Sequence, residues 1–285
     1  MGYLPPSVYL DAYSKIRAYD NTRNLAATVE VHRYRNNSMD GDPDATCVEA
    51  RKEGVRIIKA VKKLYASVMD VKYDSIASDA VLMVPNEKKA QWLPVFRDIP
   101  LDLGAISRSV RGKGSIRDIE TTIAAAIGVD RLKPSYTEIQ AFCDDYVGLD
   151  CNGFVGNWID HMGFKVSATM YGPNTHPNDY ARRGIHRQSV HEIRFGDVLL
   201  WSDHVHIAAV DQVLGYWGDE LYVSVCESSN RFGGLHQDVY IFTGKTKKED
   251  LGAIKGSSKQ TLLTAKRPKK SGGFSYTNLL VCQVA

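Results

Sequence analysis

The sequence predicts an α+β chain, helical in its earlier part and built of antiparallel strands after residue 198. Three observations predict it. Apolar residues recur at helical spacing over 44–69 and again over 116–162. Short strand-like runs dominate from 198 onward. Turns rich in Gly, Asp and Ser, rather than crossover helices, separate those runs, which argues against alternating βαβ units.

Taken in order, the first 40 residues are mixed and end in a polar turn cluster, Asn36 to Pro43. Asp44 to Met69 reads as one long helix, because Val48, Val55, Ile58, Val61, Leu64 and Val68 share a face with Lys and Arg between them. Ala80 to Val84 fits either a short strand or a buried helical turn, and Pro85, Pro94 and Pro100 punctuate the chain beyond it. Ser107 to Ser115 is basic and contains glycine but lacks the full phosphate-loop pattern. Helices are expected over Ile116–Ile127, over Tyr136–Tyr146 and from Cys151 onward. Tyr171 to Gln188 reads as a loop rich in Pro, Asn, His and Arg. Strands are expected next at Val198–Trp201, Val205–Val213, Leu221–Cys226, Val239–Phe242 and Asn278–Val284. The expected organisation is therefore a mainly helical region, 1–115, and a second domain, 116–285.

Composition narrows the function. The chain has 285 residues, 44% of them hydrophobic, and a net charge of +3, which excludes a disordered polymer. No run approaches the roughly 20 apolar residues of a membrane-spanning helix. The opening Met1-Gly2-Tyr3-Leu4-Pro5-Pro6 has neither a basic nor an apolar leader segment, and Pro6 spoils a myristoylation signal. The expectation is a cytoplasmic protein, or one released or injected without a classical signal. Between 245 and 270, nine Lys and Arg stand against Glu249 and Asp250, so the remainder of the chain is net acidic. That segment reads first as a solvated loop and second as a surface for an anionic polymer such as teichoic acid. No aromatic residues interleave with it, so nucleic acid is not an expected partner.

The five cysteines, Cys47, Cys143, Cys151, Cys226 and Cys282, form no Cys-x-x-Cys pair and no dense disulfide framework. Cys151 differs from the rest. It precedes Asn152, Gly153 and the helical stripe Phe154, Val155, Trp158, Ile159 and Met162, which places it at a helix start. There the positive end of the helix stabilises a thiolate, and the first-turn N–H groups are donors for an oxyanion. A base is available in Gly196-Asp197-Val198-Leu199-Leu200-Trp201-Ser202-Asp203-His204-Val205-His206, where His204 and His206 share a strand face. Glu227 ends the next strand and could orient an imidazole. The same two histidines with a Cys or Asp would make only a weak zinc signal, so neither metal nor cofactor is expected.

The Asp-Cys-Asn-Gly-Phe-Val run, the Gly-Asp-Val-Leu-Leu-Trp-x-x-His-Val run and the polar strand end resemble the NlpC-type papain-like cysteine peptidases and the related CHAP amidases. The resemblance spans about residues 136–245. It implies a papain-like domain, a nucleophile helix packed on an antiparallel sheet, that hydrolyses amide bonds, typically in peptidoglycan stem peptides. Carried over, Cys151 is the nucleophile, His204 the base and Glu227 the orienting residue, with Asp150 and Gly153 as structural companions. Asn152, His206 and Tyr146 (or Tyr136 for the hydroxyl) would support them. The chain departs from the pattern at Asn152, where the family usually has Ser, and it lacks the usual Gly-Gly pair. Other readings are a wall-binding module without turnover and a hydrolase of a protein or small amide.

Overall fold

The computed structural model describes residues 4–20, 24–35, 45–85, 87–88, 100–163, 165–166, 169–170, 172–202, 206–251 and 259–283. They form two compact units, one of residues 1–11 with 151–285 and one of residues 12–150.

The 12–150 unit is helical with short strands. After α1 (Pro6–Ala12), the strands β1 (Ile16–Tyr19) and β2 (Leu25–Val29) make an antiparallel hairpin. The long helix α2 (Ala45–Met69) follows. Then come β3 (Val81–Leu82), β4 (Leu101–Asp102), α3 (Leu103–Ser109), α4 (Ile116–Gly128) and α5 (Tyr136–Tyr146). Local chemistry sets their starts. Ser115 and Asp118 form a reciprocal cap on α4, and the Ser135 hydroxyl accepts from the Glu138 N–H on α5. Glu53, buried on α2, accepts two hydrogen bonds from Arg131 at 2.7 and 3.0 Å. The Ser107–Ser115 stretch is the end of α3 and a structural turn. Gly112 has φ +76°, and a side chain there would meet the Arg35 carbonyl at 2.6 Å. Lys113 pairs with Asp150 at 2.7 Å, and the Asp150 N–H donates to the Gly112 carbonyl, so the residue before Cys151 is fixed.

The other unit begins its continuous part with α6 (Cys151–Met162), then β5 (Lys165–Val166), β6 (Thr169–Met170), α7 (Pro177–Arg183) and β7 (Ile185–His186). Six longer strands complete it: β8 (Val198–Trp201), β9 (Ile207–Trp217), β10 (Glu220–Ser229), β11 (Gly234–Glu249), β12 (Gln260–Pro268) and β13 (Phe274–Gln283). Each pairs antiparallel with the next, and β13 returns to pair with β8, so the sheet closes into a six-stranded barrel. The papain-like α+β arrangement expected from the motifs, a nucleophile helix on an antiparallel sheet, is therefore corrected. The reason is β12. The Lys-rich stretch expected to be a solvated loop contains Leu262, Leu263 and Ala265, all buried, and it pairs on both sides.

Period-two alternation divides the barrel wall. Leu199, Ala208, Val210, Leu221, Val223, Val225, Tyr240, Phe242, Leu263, Ala265, Leu279 and Val281 belong to one buried core cluster, the filling of the barrel. Residues of the opposite phase, including Val198, Leu200, Ile207, Ala209 and Cys226, are also fully buried, because α6 packs on β9 and β10 and α7 on β8 and β13. Segment 4–11 joins this unit. The Trp158 indole N–H donates to the Leu4 carbonyl at 2.9 Å, and the Ser7 N–H donates to Asp211 at 2.9 Å. Among the described residues, no helix is long and apolar enough to cross a membrane.

Candidate active site

Cys151 is the first residue of α6 and is buried. Phe154, Val155, Trp158 and Ile159 anchor the helix in the core, which leaves its small-residue face for close approach. At Gly156 a side chain would stand 2.3 Å from the Gly172 carbonyl, so only glycine lets the 172–175 turn cross the helix here. The Asn152 side-chain amide donates to the carbonyls of Pro173 (2.9 Å) and Thr175. Its N–H groups are thereby committed to holding that turn. The first turn of α6 directs its backbone N–H groups out of the helix end that begins at Cys151.

None of the five cysteines, all of them within the described residues, forms a disulfide. Burial pushes the Cys143 thiol up to about 12, with Asp144 adding to it. Burial likewise raises the thiols of Cys226, beside Asp211 and Glu227, and of Cys282, near Asp197. These three are protonated packing groups in the neutral range.

The strands bring a polar cluster together at one end of the barrel, where β8, β10 and β12 finish and β9, β11 and β13 begin. Glu227, in phase with Val225 and Val223, continues the inward row of β10 and is fully buried. His206 immediately precedes β9, and its Nε2 hydrogen-bonds Glu227 Oε2. The Arg267 guanidinium donates to the same oxygen at 2.7 Å, and the Tyr240 hydroxyl donates to Oε1 at 2.6 Å. His236, cross-strand partner of Glu227, brings Nε2 to 3.0 Å from Oε1. Trp201 closes on His206 edge-on, with ring centroids 4.4 Å apart. Burial alone would raise the Glu227 carboxyl, but the donors His206 and His236 and the charge of Arg267 hold it well below the ordinary glutamate value. Burial and the Glu227 charge push the Tyr240 phenol well up, so it stays a neutral donor.

Of the sequence-predicted site, the structure therefore joins Glu227 to His206. His204 lies outside the described residues. Tyr146 closes α5 in the 12–150 unit, half-buried beside Phe142 at 5.4 Å. Sequence reasoning does not single out His236, Arg267, Tyr240 or Trp201 as site residues. Their signal is one of phase: 263, 265 and 267 on one strand and 236 and 240 on another all match the inward register. Among the described residues, no group of His, Cys, Asp and Glu is arranged to hold a metal. With Nε2 engaged by Glu227, His206 keeps Nδ1 as the nitrogen able to accept a proton. The chain has no match among family models, among curated proteins or among solved structures.

Proposed function

We propose that this protein is a thiol-dependent amide hydrolase with peptidoglycan stem peptides as its substrate class. One observation carries the reading: the buried pair of His206, immediately before β9, and Glu227, on β10, belongs to the two strands on whose outer face the helix headed by Cys151 packs. Glu227 fixes the imidazole tautomer, and Nδ1 of His206 removes the proton from the Cys151 sulfur. The thiolate adds to the amide carbonyl, and N–H groups of the first turn of α6 hold the oxyanion. Collapse breaks the C–N bond while the imidazolium returns its proton to the leaving amine. Water, deprotonated by the same ring, then releases the acid from the thioester and restores the thiol. Asn152 supports the chemistry indirectly, by holding the 172–175 turn across α6.

The test is product analysis by mass spectrometry after incubation with purified peptidoglycan. New amine termini are expected from the unmodified protein and none from Cys151→Ala of equal folded content. Release undiminished in Cys151→Ala would remove the thiol mechanism.

A further inference from the structure

Among the described residues, the barrel end that carries Glu227 gathers four basic side chains around one buried carboxylate. Arg267 is at the end of β12, Arg231 is in the 230–233 loop, and Lys269 and Lys270 are in the 269–273 turn. The last three are exposed. His236 lies beside Glu227. Its Nδ1 lies 3.2 Å from the Gly234 carbonyl oxygen and its Nε2 lies 3.0 Å from Glu227 Oε1.

Arg267 is incompletely satisfied. One terminal nitrogen serves Glu227 and Ser229, and the guanidinium lies 4.8 Å from the Trp201 ring and 5.7 Å from that of Phe232. Its Nε, however, is buried and lacks a hydrogen-bond partner, on a side chain only 9% exposed. A buried donor on a cation is costly to leave unpaired, and the mouth of a barrel is a common place for a ligand to complete such a group.

We propose that this barrel end is the seat of a substrate carboxylate, bound by Arg267 and His236 and drawn in by Arg231, Lys269 and Lys270. The substrate is then a peptide acid, with a free C-terminal or side-chain carboxylate near the cleaved bond. A carboxylate supplies both the acceptor the Arg267 Nε lacks and a counter-charge for the described cations, whereas an amide or a neutral sugar supplies no charge. The inference rests on the hydrolase reading and names its substrate class.

The experiment uses the full chain carrying Cys151→Ala and calorimetric titration with N-acetylated tetra-alanine, as the free acid and as the carboxamide. The acid is expected to bind at least about tenfold tighter, the worth of one charge-assisted hydrogen bond, with a preference that weakens as salt rises. Adding Arg267→Met should abolish the preference. The exposed triple change Arg231→Ser, Lys269→Ser, Lys270→Ser should reduce it and flatten its salt dependence, and it keeps the test valid should Arg267→Met fail to fold. Equal binding of the two peptides, no binding of the acid, or a preference that survives both variants overturns the proposal. Because binding is read without turnover, absent hydrolysis leaves this result standing. Hydrolysis without acid preference removes this inference alone.

Discussion

Replacing Glu227 by Gln keeps the shape of the buried cluster and deletes its one negative charge. The carboxylate is fully buried and hydrogen-bonds Arg267 at 2.7 Å, Tyr240 at 2.6 Å and His206, with His236 Nε2 3.0 Å away. Gln offers one acceptor oxygen, places an NH2 among donors and leaves Arg267, with a side chain 9% exposed, as an unbalanced buried cation. Solvent screening gives little relief at that burial, so the loss is about 3–5 kcal/mol, the range for breaking a buried pair from one side. At a urea slope of about 2 kcal/mol/M, the barrel's unfolding midpoint falls by about 2 M. Urea titration followed by Trp fluorescence reads it. The pH dependence gives an internal control. Glu227 is held well below 4.5, so its contribution is complete above that value and is lost as pH falls through its lower folded value. The gap between the unmodified protein and Glu227→Gln should therefore narrow on strong acidification. A loss below about 1 kcal/mol at neutral pH would refute the reasoning, since it would mean that the cluster is hydrated rather than buried.

Two further outcomes test the surroundings of Cys151. Iodoacetamide in slight excess should label Cys151 ahead of Cys143, Cys226 and Cys282, whose thiols burial has raised; peptide mapping that finds one of those three labelled first would count against an activated Cys151. Gly156→Ala should destabilise the barrel unit by about 1–3 kcal/mol, because its new carbon meets the Gly172 carbonyl at 2.3 Å. An unchanged melting temperature would mean that the 172–175 turn yields freely.

How much of the fold and site is legible in the sequence depends on the range of the interactions. The helix over Tyr136–Tyr146 is readable because its stripe and its cap, Ser135, are local. Strand positions such as Val198–Trp201 are readable for the same reason. Barrel closure is not, since it requires β12 to find partners on both sides, and nothing within Gln260–Pro268 states which strands those are. Charge conceals that strand, because nine basic residues in one segment look alike until the phase of Leu263 and Ala265 separates inward Arg267 from outward Lys266. Of the candidate residues, Cys151 and Glu227 stand out as a helix start and a strand end. His236 does not, because Gly233-Gly234 reads as a turn and hides the strand that begins there.

The small N-terminal segment has a consequence for the order of assembly. Leu4 and Ser7 bond to Trp158 and Asp211, so residues 4–11 belong with a unit whose remainder starts at Cys151. During synthesis at about 5–20 residues per second, this segment leaves the ribosome about 8–40 s before the helix and strand it docks on. The 12–150 unit has the chance to fold in that interval, while Leu4 and Tyr9 remain without their partners in the barrel unit. The barrel unit thus includes a piece of chain made well before the rest of it, and chaperone capture of the nascent chain should concentrate on that waiting segment.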